Sequence, residues 1–413
     1  MTRLETSGGA AAAGGAAVSA ARPDAIRRHN LALILGHVHR DGALTRAELT
    51  ARLGVSRSTI GALVADLTAL GLVQESVPSG GARVGRPSHV VGPHPSGPFV
   101  VGVDVDVTHV TSAGVEIGGV VLDRRSVPID EGPGTPETVA DLVARAVTAL
   151  GRSTGRAVLG VGVSVPGTVD HRSRTVGVAP NLAWREVHLG DLLTERLGPD
   201  LPVTVGNDAD LAVLAELSRG NARDCDDVVY VMGRIGVGAG IVVNGVPLHG
   251  RDGRAGEIGH NVMDGNGPTC HCGKRGCLET FVGDAALLTL AGRDEVPTVE
   301  NVDRVFLDAR AGDERALGAV RTVAEWLGLA LGSLVNTLNP QRVILGGSLS
   351  QVLGLARPEI EQALERYAFD PGHPVELGLP RFGVDSALLG AAELAFAELL
   401  DDPFSVQSLP AWP

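Results

Sequence analysis

The sequence predicts an α/β protein with a small winged helix-turn-helix unit at its front. Near the start of the chain a helix, a short glycine turn and a second helix precede a hairpin tip rich in glycine and arginine. From Phe99 onward, strand and helix patterns alternate. Charge divides the chain in the same way. Residues 21–91 hold nine arginines against five acids, whereas the 413 residues together carry a net charge of −13, so only the front unit is suited to meet nucleic acid.

The length allows two or three domains with sizeable cores. With 44% hydrophobic and 20% charged residues, and no evident apolar run of the roughly 18 residues a membrane span needs, a soluble globular protein is expected. Residues 1–22 are mostly Ala and Gly. They lack the basic start and the Leu/Ile/Val-rich core of a signal peptide, and are expected to form a disordered leader of a cytoplasmic protein.

A DNA-binding domain is expected over residues 23–91. Its first helix begins near Pro23, presents Ile26, Leu31, Leu33, Ile34, Leu35 and Val38, and ends at Gly42. Thr45 caps the second helix, with Glu48 three residues on as in a capping box. After the turn Leu53-Gly-Val-Ser56, Ser56 caps a third helix whose Ile60, Leu63, Val64, Leu67 and Leu70 recur at helical spacing. Such a helix enters the major groove N-terminus first, which aims Arg57, Ser58 and Thr59 at DNA. Strands at 71–76 and 89–91 then flank a tip carrying Arg83 and Arg86, thin enough to follow a phosphate backbone or reach into a minor groove. Residues 92–98 contain three prolines and read as a semi-rigid linker to the α/β part, residues 99–413.

In that part, β-rich segments up to Val127 precede a helix over 137–150, a strand over 158–164, a strand at 203–206 and a helix over 208–217. A second α/β unit starts at Val228, continues into a long helix over 316–338, and ends a buried strand in the turn Gly346-Gly-Ser348, the usual place for a ligand. Three of the four cysteines, Cys270, Cys272 and Cys277, fall in a glycine-rich stretch with His260 upstream and His271 among them. That grouping favours a metal clip over disulfides, and leaves Cys225 as a buried thiol.

The chain resembles the ROK family (repressors, open reading frames and kinases), and within it the transcriptional regulators. The resemblance rests on Gly162-Val-Ser-Val-Pro-Gly167, Asn181-Leu-Ala-Trp184, Asn207-Asp-Ala-Asp210, Gly256-Glu-Ile-Gly-His260, Cys270-His-Cys-Gly-Lys-Arg-Gly-Cys-Leu-Glu279 and Asn339-Pro-Gln-Arg-Val-Ile-Leu-Gly-Gly347. It implies an actin/hexokinase-like (ribonuclease H-like) fold, with two α/β lobes around a cleft that binds sugar. It selects His260 over His271, so that His260, Cys270, Cys272 and Cys277 would fill all four positions of a structural Zn2+ and leave none for a reactive water. It also implies sugar binding by Asn207, Asp208, Glu257, His260 and Glu279. Three carboxylates there would repel a phosphate and so favour an unphosphorylated sugar.

Asp208 matches the catalytic base of the family's kinases. The kinase loop Asp-x-Gly-Gly-Thr, however, reads Asp104-Val-Asp-Val-Thr108 here, so Asp106 would set a charge beside ATP phosphate and Val107 would crowd the backbone. The second loop keeps Gly236, Gly238 and Gly240 but has Ile235 where the kinases have Thr. Asp208 is therefore expected to be a vestigial base that accepts a sugar hydroxyl. The resemblance implies a repressor of carbohydrate-metabolism genes that binds an inverted-repeat DNA operator as a homodimer or homotetramer, answers to a sugar and needs no membrane. The alternative is an ATP-dependent, glucokinase-like enzyme with a fused DNA-binding domain.

Overall fold

Capping decides where the helices of the front unit begin and end. The computed structural model describes residues 23–77, 89–129, 134–370, 372 and 374–408. Helix α1 (Pro23–Asp41) gives way at Gly42, where φ is 77°, to the short strand β1 (Leu44–Thr45). Helix α2 (Arg46–Leu53) opens on the expected capping box: the Thr45 hydroxyl accepts from the Glu48 N–H at 3.1 Å, and the Glu48 carboxylate accepts from the Thr45 N–H at 2.7 Å. Ser56 caps α3 (Arg57–Ala69), which buries Ile60, Leu63, Val64 and Leu67. Strands β2 (Val73–Ser76) and β3 (Val90–Pro93) pair antiparallel, and β1 joins β3, completing the sheet of a winged helix. The wing tip with Arg83 and Arg86, and the leader 1–22, lie outside the described residues.

The expected linker is no free spacer. Strand β3 runs two residues past the anticipated boundary at 91, the His94 N–H donates to the Leu72 carbonyl at 3.1 Å, and Arg156 holds the Gly97 carbonyl at 2.5 Å. These bonds fasten the segment to both units.

The α/β part is built twice on one plan. Its first sheet is formed by β4 (Phe99–Val105), β5 (His109–Glu116), β6 (Val121–Pro128), β7 (Val158–Val165) and, beyond the small hairpin sheet of β8 (Val169–Asp170), β9 (Thr175–Ala179) and β10 (Trp184–Val187), by β11 (Val203–Asn207). Helix α4 (Pro136–Thr154) precedes β7, α5 (Leu189–Leu197) precedes β11, and α6 (Asp208–Arg219) follows it. The second sheet contains β12 (Val228–Gly233), β13 (Val237–Val243), β14 (Val246–Pro247), β15 (Arg342–Gly347) and β16 (Glu376–Gly378). Its helices are α7 (Glu279–Val282), α8 (Asp284–Leu290), α9 (Val299–Arg310), α10 (Glu314–Leu338) and α11 (Ser348–Tyr367).

The sheet orders are β6-β5-β4-β7-β11 and β14-β13-β12-β15-β16, each an antiparallel meander extended by two parallel strands. The turns β4–β5 and β12–β13 are therefore counterparts. They contain Asp106 and Arg234 respectively.

Between the lobes lie α6 and the last long helix, α12 (Ser386–Asp401). Glycines let them approach: a Cβ on Gly162 of β7 would stand 1.8 Å from the Ala391 carbonyl, and one on Gly390 would stand 1.7 Å from the Leu211 carbonyl. The opposite side of α12 shares one core with the winged helix, in which Leu31, Ile34, Leu35 and Val38 of α1 pack with Leu388, Leu389, Ala392, Phe396 and Leu399. Helix α10 is long and apolar enough to cross a membrane by length and composition, which corrects the sequence expectation. Half of that stretch is buried, with Val323, Leu327 and Leu331 at the centre of the second lobe, so it serves as a core helix here.

Candidate functional site

The glycine-rich stretch folds back on itself so that its thiols converge. Bridges pair Val262 with Cys277 and Thr269 with Arg275, and the Cys270 N–H donates to the Lys274 carbonyl at 2.8 Å. Gly276 (φ 70°) makes the return possible, because a Cβ there would meet the Asp264 carbonyl at 1.6 Å. The Cys270 and Cys277 side chains are buried and Cys272 is exposed.

The donor atoms of His260, Cys270, Cys272 and Cys277 all lie within 4.8 Å of one another. Cys272 Sγ and Cys277 Sγ are 3.7 Å apart, and Cys270 Sγ is 3.6 Å from His260 Nδ1. Tetrahedral Zn2+ with bonds of about 2.3 Å to sulfur and about 2.0 Å to nitrogen has edges of about 3.8 and 3.5 Å. The residues therefore fit such an ion. Without one, burial pushes the Cys270 and Cys277 thiols up, and Cys270 Sγ–H donates to Glu279 Oε1 at 2.9 Å.

Glu257 enters beside the clip, one residue before the short 3-10 turn that carries His260. Burial pushes its carboxyl up and Asp210 and Glu279 add to the effect, while His260 opposes it. Glu279, at the first turn of α7, stands 4.0 Å from His260 Nδ1, and a side chain at Gly236 would lie 3.7 Å from both Glu279 Oε2 and Asn181 Nδ2. The cysteine loop, the β12–β13 turn and the segment after β9 thus meet between the lobes.

Asp208 and Asn207 reach the cleft from the start of α6. Asn207 is largely committed to holding that helix: its Oδ1 accepts from the Ala209 and Asp210 N–H groups at 2.8 and 3.1 Å, and its Nδ2 donates to the Gly167 carbonyl at 2.8 Å. One amide N–H remains for a ligand. Asp208 is half-buried, and burial, with Asp104 adding, pushes its carboxyl up to about 7.

The facing turns are joined by a residue that sequence reasoning passed over. Arg234 Nη2 donates to Asp106 Oδ2 at 2.9 Å, linking the β4–β5 and β12–β13 turns. Burial disfavours the guanidinium charge, but Asp106, Asp104, Asp208 and Asp284 outweigh burial. Burial also pushes the Asp104 carboxyl up, against the opposing effects of Arg234 and of the Ser164 hydroxyl at 2.8 Å. The signal in the sequence was an arginine inside a glycine loop. Its partner, 128 residues away, becomes adjacent only when the two lobes face each other.

Arg57, Ser58 and Thr59 are exposed at the start of α3, with the Ser58 and Thr59 hydroxyls 2.8 Å from Ser56 Oγ. Arg27, Arg46 and Arg52 are tied to Asp66, Glu75 and Asp41, whereas Arg57 makes no ion pair with any described residue. Part of the basic excess is therefore internal to the fold. Behind this face, Gly118 N–H donates to His39 Nδ1 at 3.2 Å, which leaves His39 Nε2–H to donate to Glu393 Oε2 at 2.9 Å. Arg219 Nε, at the last turn of α6, donates to Glu393 Oε1 at 2.8 Å. Burial pushes the Glu393 carboxyl up, but His39 and Arg219 outweigh it and hold the carboxyl below its usual range.

Comparison with known proteins covers both units of the chain. Residues 32–83 match the MarR family and residues 100–398 match the ROK family. The xylose repressor of Bacillus subtilis (strain 168) is 29% identical over 385 residues, spanning 91% of this chain and 97% of that protein. The crystal structure of a ROK family transcriptional regulator, homologue of the E. coli MLC protein, superposes with a TM-score of 0.76 at 26% identity, covering 93% of this chain and 98% of that one. A ROK family glucokinase from Streptomyces griseus, solved with glucose and AMPPNP, gives 0.63 at 30% identity and covers 72% and 98%. With a duplicated α/β architecture and a family match over most of its length, this chain belongs to the ROK family.

Proposed function

We propose that this protein is a sugar-responsive transcriptional repressor, acting on DNA in the cytoplasm as a homodimer or homotetramer. The observation that carries the reading is the course of α6. It starts at Asp208 in the cleft and ends at Arg219, which holds Glu393 of α12 against His39 of α1. One rigid helix thus joins the ligand site to the DNA-binding unit. The full-length similarity to proteins named as repressors supports the same reading, since the glucokinase is spanned with a smaller part of this chain.

In this reading Asp208, Glu257, His260 and Glu279 receive sugar hydroxyls, and Asn207 adds one N–H while fixing α6. Zn2+ held by His260, Cys270, Cys272 and Cys277 stabilises the loop on which Glu257 and Glu279 sit. With the three sulfurs as thiolates, Glu279 has no donor among them and its Oε1 is left to accept from a hydroxyl. His260 Nδ1 faces the thiols, which leaves Nε2 for the sugar. Arg57, Ser58 and Thr59 contact the major groove, and Arg83 and Arg86 of the wing contact the backbone. The units 23–91 and 99–413 divide these tasks, with 92–98 pinned between them.

A kinase reading draws support from Asp208, whose carboxyl near 7 suits a general base. Against it stands the pair Asp106–Arg234, which sets a carboxylate where the kinase loops offer backbone N–H groups to phosphate. Thermal-shift screening of the full chain against xylose, glucose, N-acetylglucosamine and their phosphates, with a coupled assay for ADP release, separates the two. A rise in melting temperature with a free sugar and no ADP release is expected. Sustained turnover at ordinary kinase rates would overturn the proposal.

A further inference from the structure

A second group of side chains able to ligate a metal lies apart from the cysteine cluster, where the two lobes approach. His171 follows β8 on the first lobe's hairpin, Asp210 sits on the first turn of α6, and His249 follows β14 on the second lobe. Their donor atoms all lie within 4.8 Å of one another. His249 Nδ1 is 3.2 Å and His171 Nε2 is 3.7 Å from the same oxygen, Asp210 Oδ2.

A hydrogen bond of 3.2 Å between His249 Nδ1 and Asp210 Oδ2 accounts for one half of this grouping but not for His171. His171 Nε2 is shielded from solvent yet has no hydrogen-bond partner, and 3.7 Å is too long for a bond to Asp210. The two imidazoles lie with centroids 4.1 Å apart, their planes tilted by 46°, around one carboxylate. A divalent cation would give His171 Nε2 its missing partner, taking both rings as neutral ligands and the carboxylate as an anion. Zn2+ with bonds of about 2.1 Å to nitrogen and oxygen has tetrahedral edges of about 3.4 Å, and the observed 3.2 and 3.7 Å lie on either side of that value.

We infer that His171, Asp210 and His249 form a second binding site for a borderline divalent transition cation such as Zn2+, bridging the two lobes. Imidazole and carboxylate donors without sulfur suit Zn2+, Ni2+ and Co2+, and three protein ligands leave at least one position for water or an incoming ligand. The site ties the β8–β9 hairpin to the segment that runs into Glu257. That segment already touches the first lobe, since a Cβ on Gly253 would stand 1.9 Å from the Val169 carbonyl. Closing the turn between them, the Ala255 N–H donates to the His249 carbonyl at 3.2 Å. Occupancy of the site would fasten that hairpin to that segment.

The test is metal content of the full chain equilibrated with micromolar Zn2+, beside His249→Asn and Asp210→Asn. Two equivalents in the wild type and one in each variant are expected. A single equivalent in the wild type, or two retained in both variants, overturns the inference. Cobalt substitution distinguishes the sites if a variant folds poorly: the clip gives thiolate-to-cobalt charge transfer, the second site only ligand-field bands. In His249→Asn the ligand-field intensity should fall while the charge-transfer band stays; a spectrum identical to the wild type would contradict the assignment.

Discussion

Replacing Asp208 by Asn removes a carboxyl that the cleft holds near 7 instead of its ordinary 3.8. Between those values the folded chain binds more protons at this position than the unfolded chain, so its contribution to stability falls as pH rises. Asp208→Asn should therefore raise the melting temperature at pH 8, and the gain should fade toward pH 4; a pH series of thermal melts checks this. Cys272→Ser should lower zinc content, folding stability and sugar response together, because metal binding stands in for the core that the glycine-rich loop lacks. Arg57→Ala should weaken DNA binding by about 1–3 kcal/mol in a fluorescence titration without changing the sugar-induced thermal shift. The clip was legible in the sequence, since its ligands are local and chemically distinctive. Arg234 and the pair His171 and His249 were not, because their partners come from the opposite lobe or from another loop and no spacing records them.

At the scale of elements, caps announced most boundaries. Thr45 with Glu48, Ser56 and Gly42 all end or begin helices where the sequence placed them, and Asn207 starts α6 one residue before Asp208. What local signals did not carry is the burial of α1 against α12, which depends on which apolar faces meet and made the proline-rich segment read as a spacer. The junction of these helices yields a prediction. Glu393→Gln weakens two charge-assisted bonds and leaves Arg219 buried without its counter-ion, a loss of about 3–5 kcal/mol in denaturant unfolding. Combining Arg219→Met with Glu393→Leu should restore much of the stability while the sugar response of DNA binding stays lost. Recovery of both together would show that the buried pair contributes only to stability.

For the whole molecule, two lobes of identical strand order place their first turns opposite each other, and the cleft follows from that duplication. The alternation of strands and helices made the α/β class legible. The pairing of lobes entered through family motifs and not through periodicity, because sheet order is a long-range property. In the proposed reading a ligand that closes the lobes would move α6, which bears on the winged helix through Arg219 and Glu393. If sugar weakens DNA binding in this way, DNA must weaken sugar binding by the same factor. The most direct measurement is the affinity of the full-length, zinc-loaded protein for an operator selected from genomic fragments, titrated at fixed salt with and without the sugar that raises its melting temperature. A fall in affinity of about 5- to 150-fold is predicted. An affinity unchanged by every sugar that binds the protein would contradict the account.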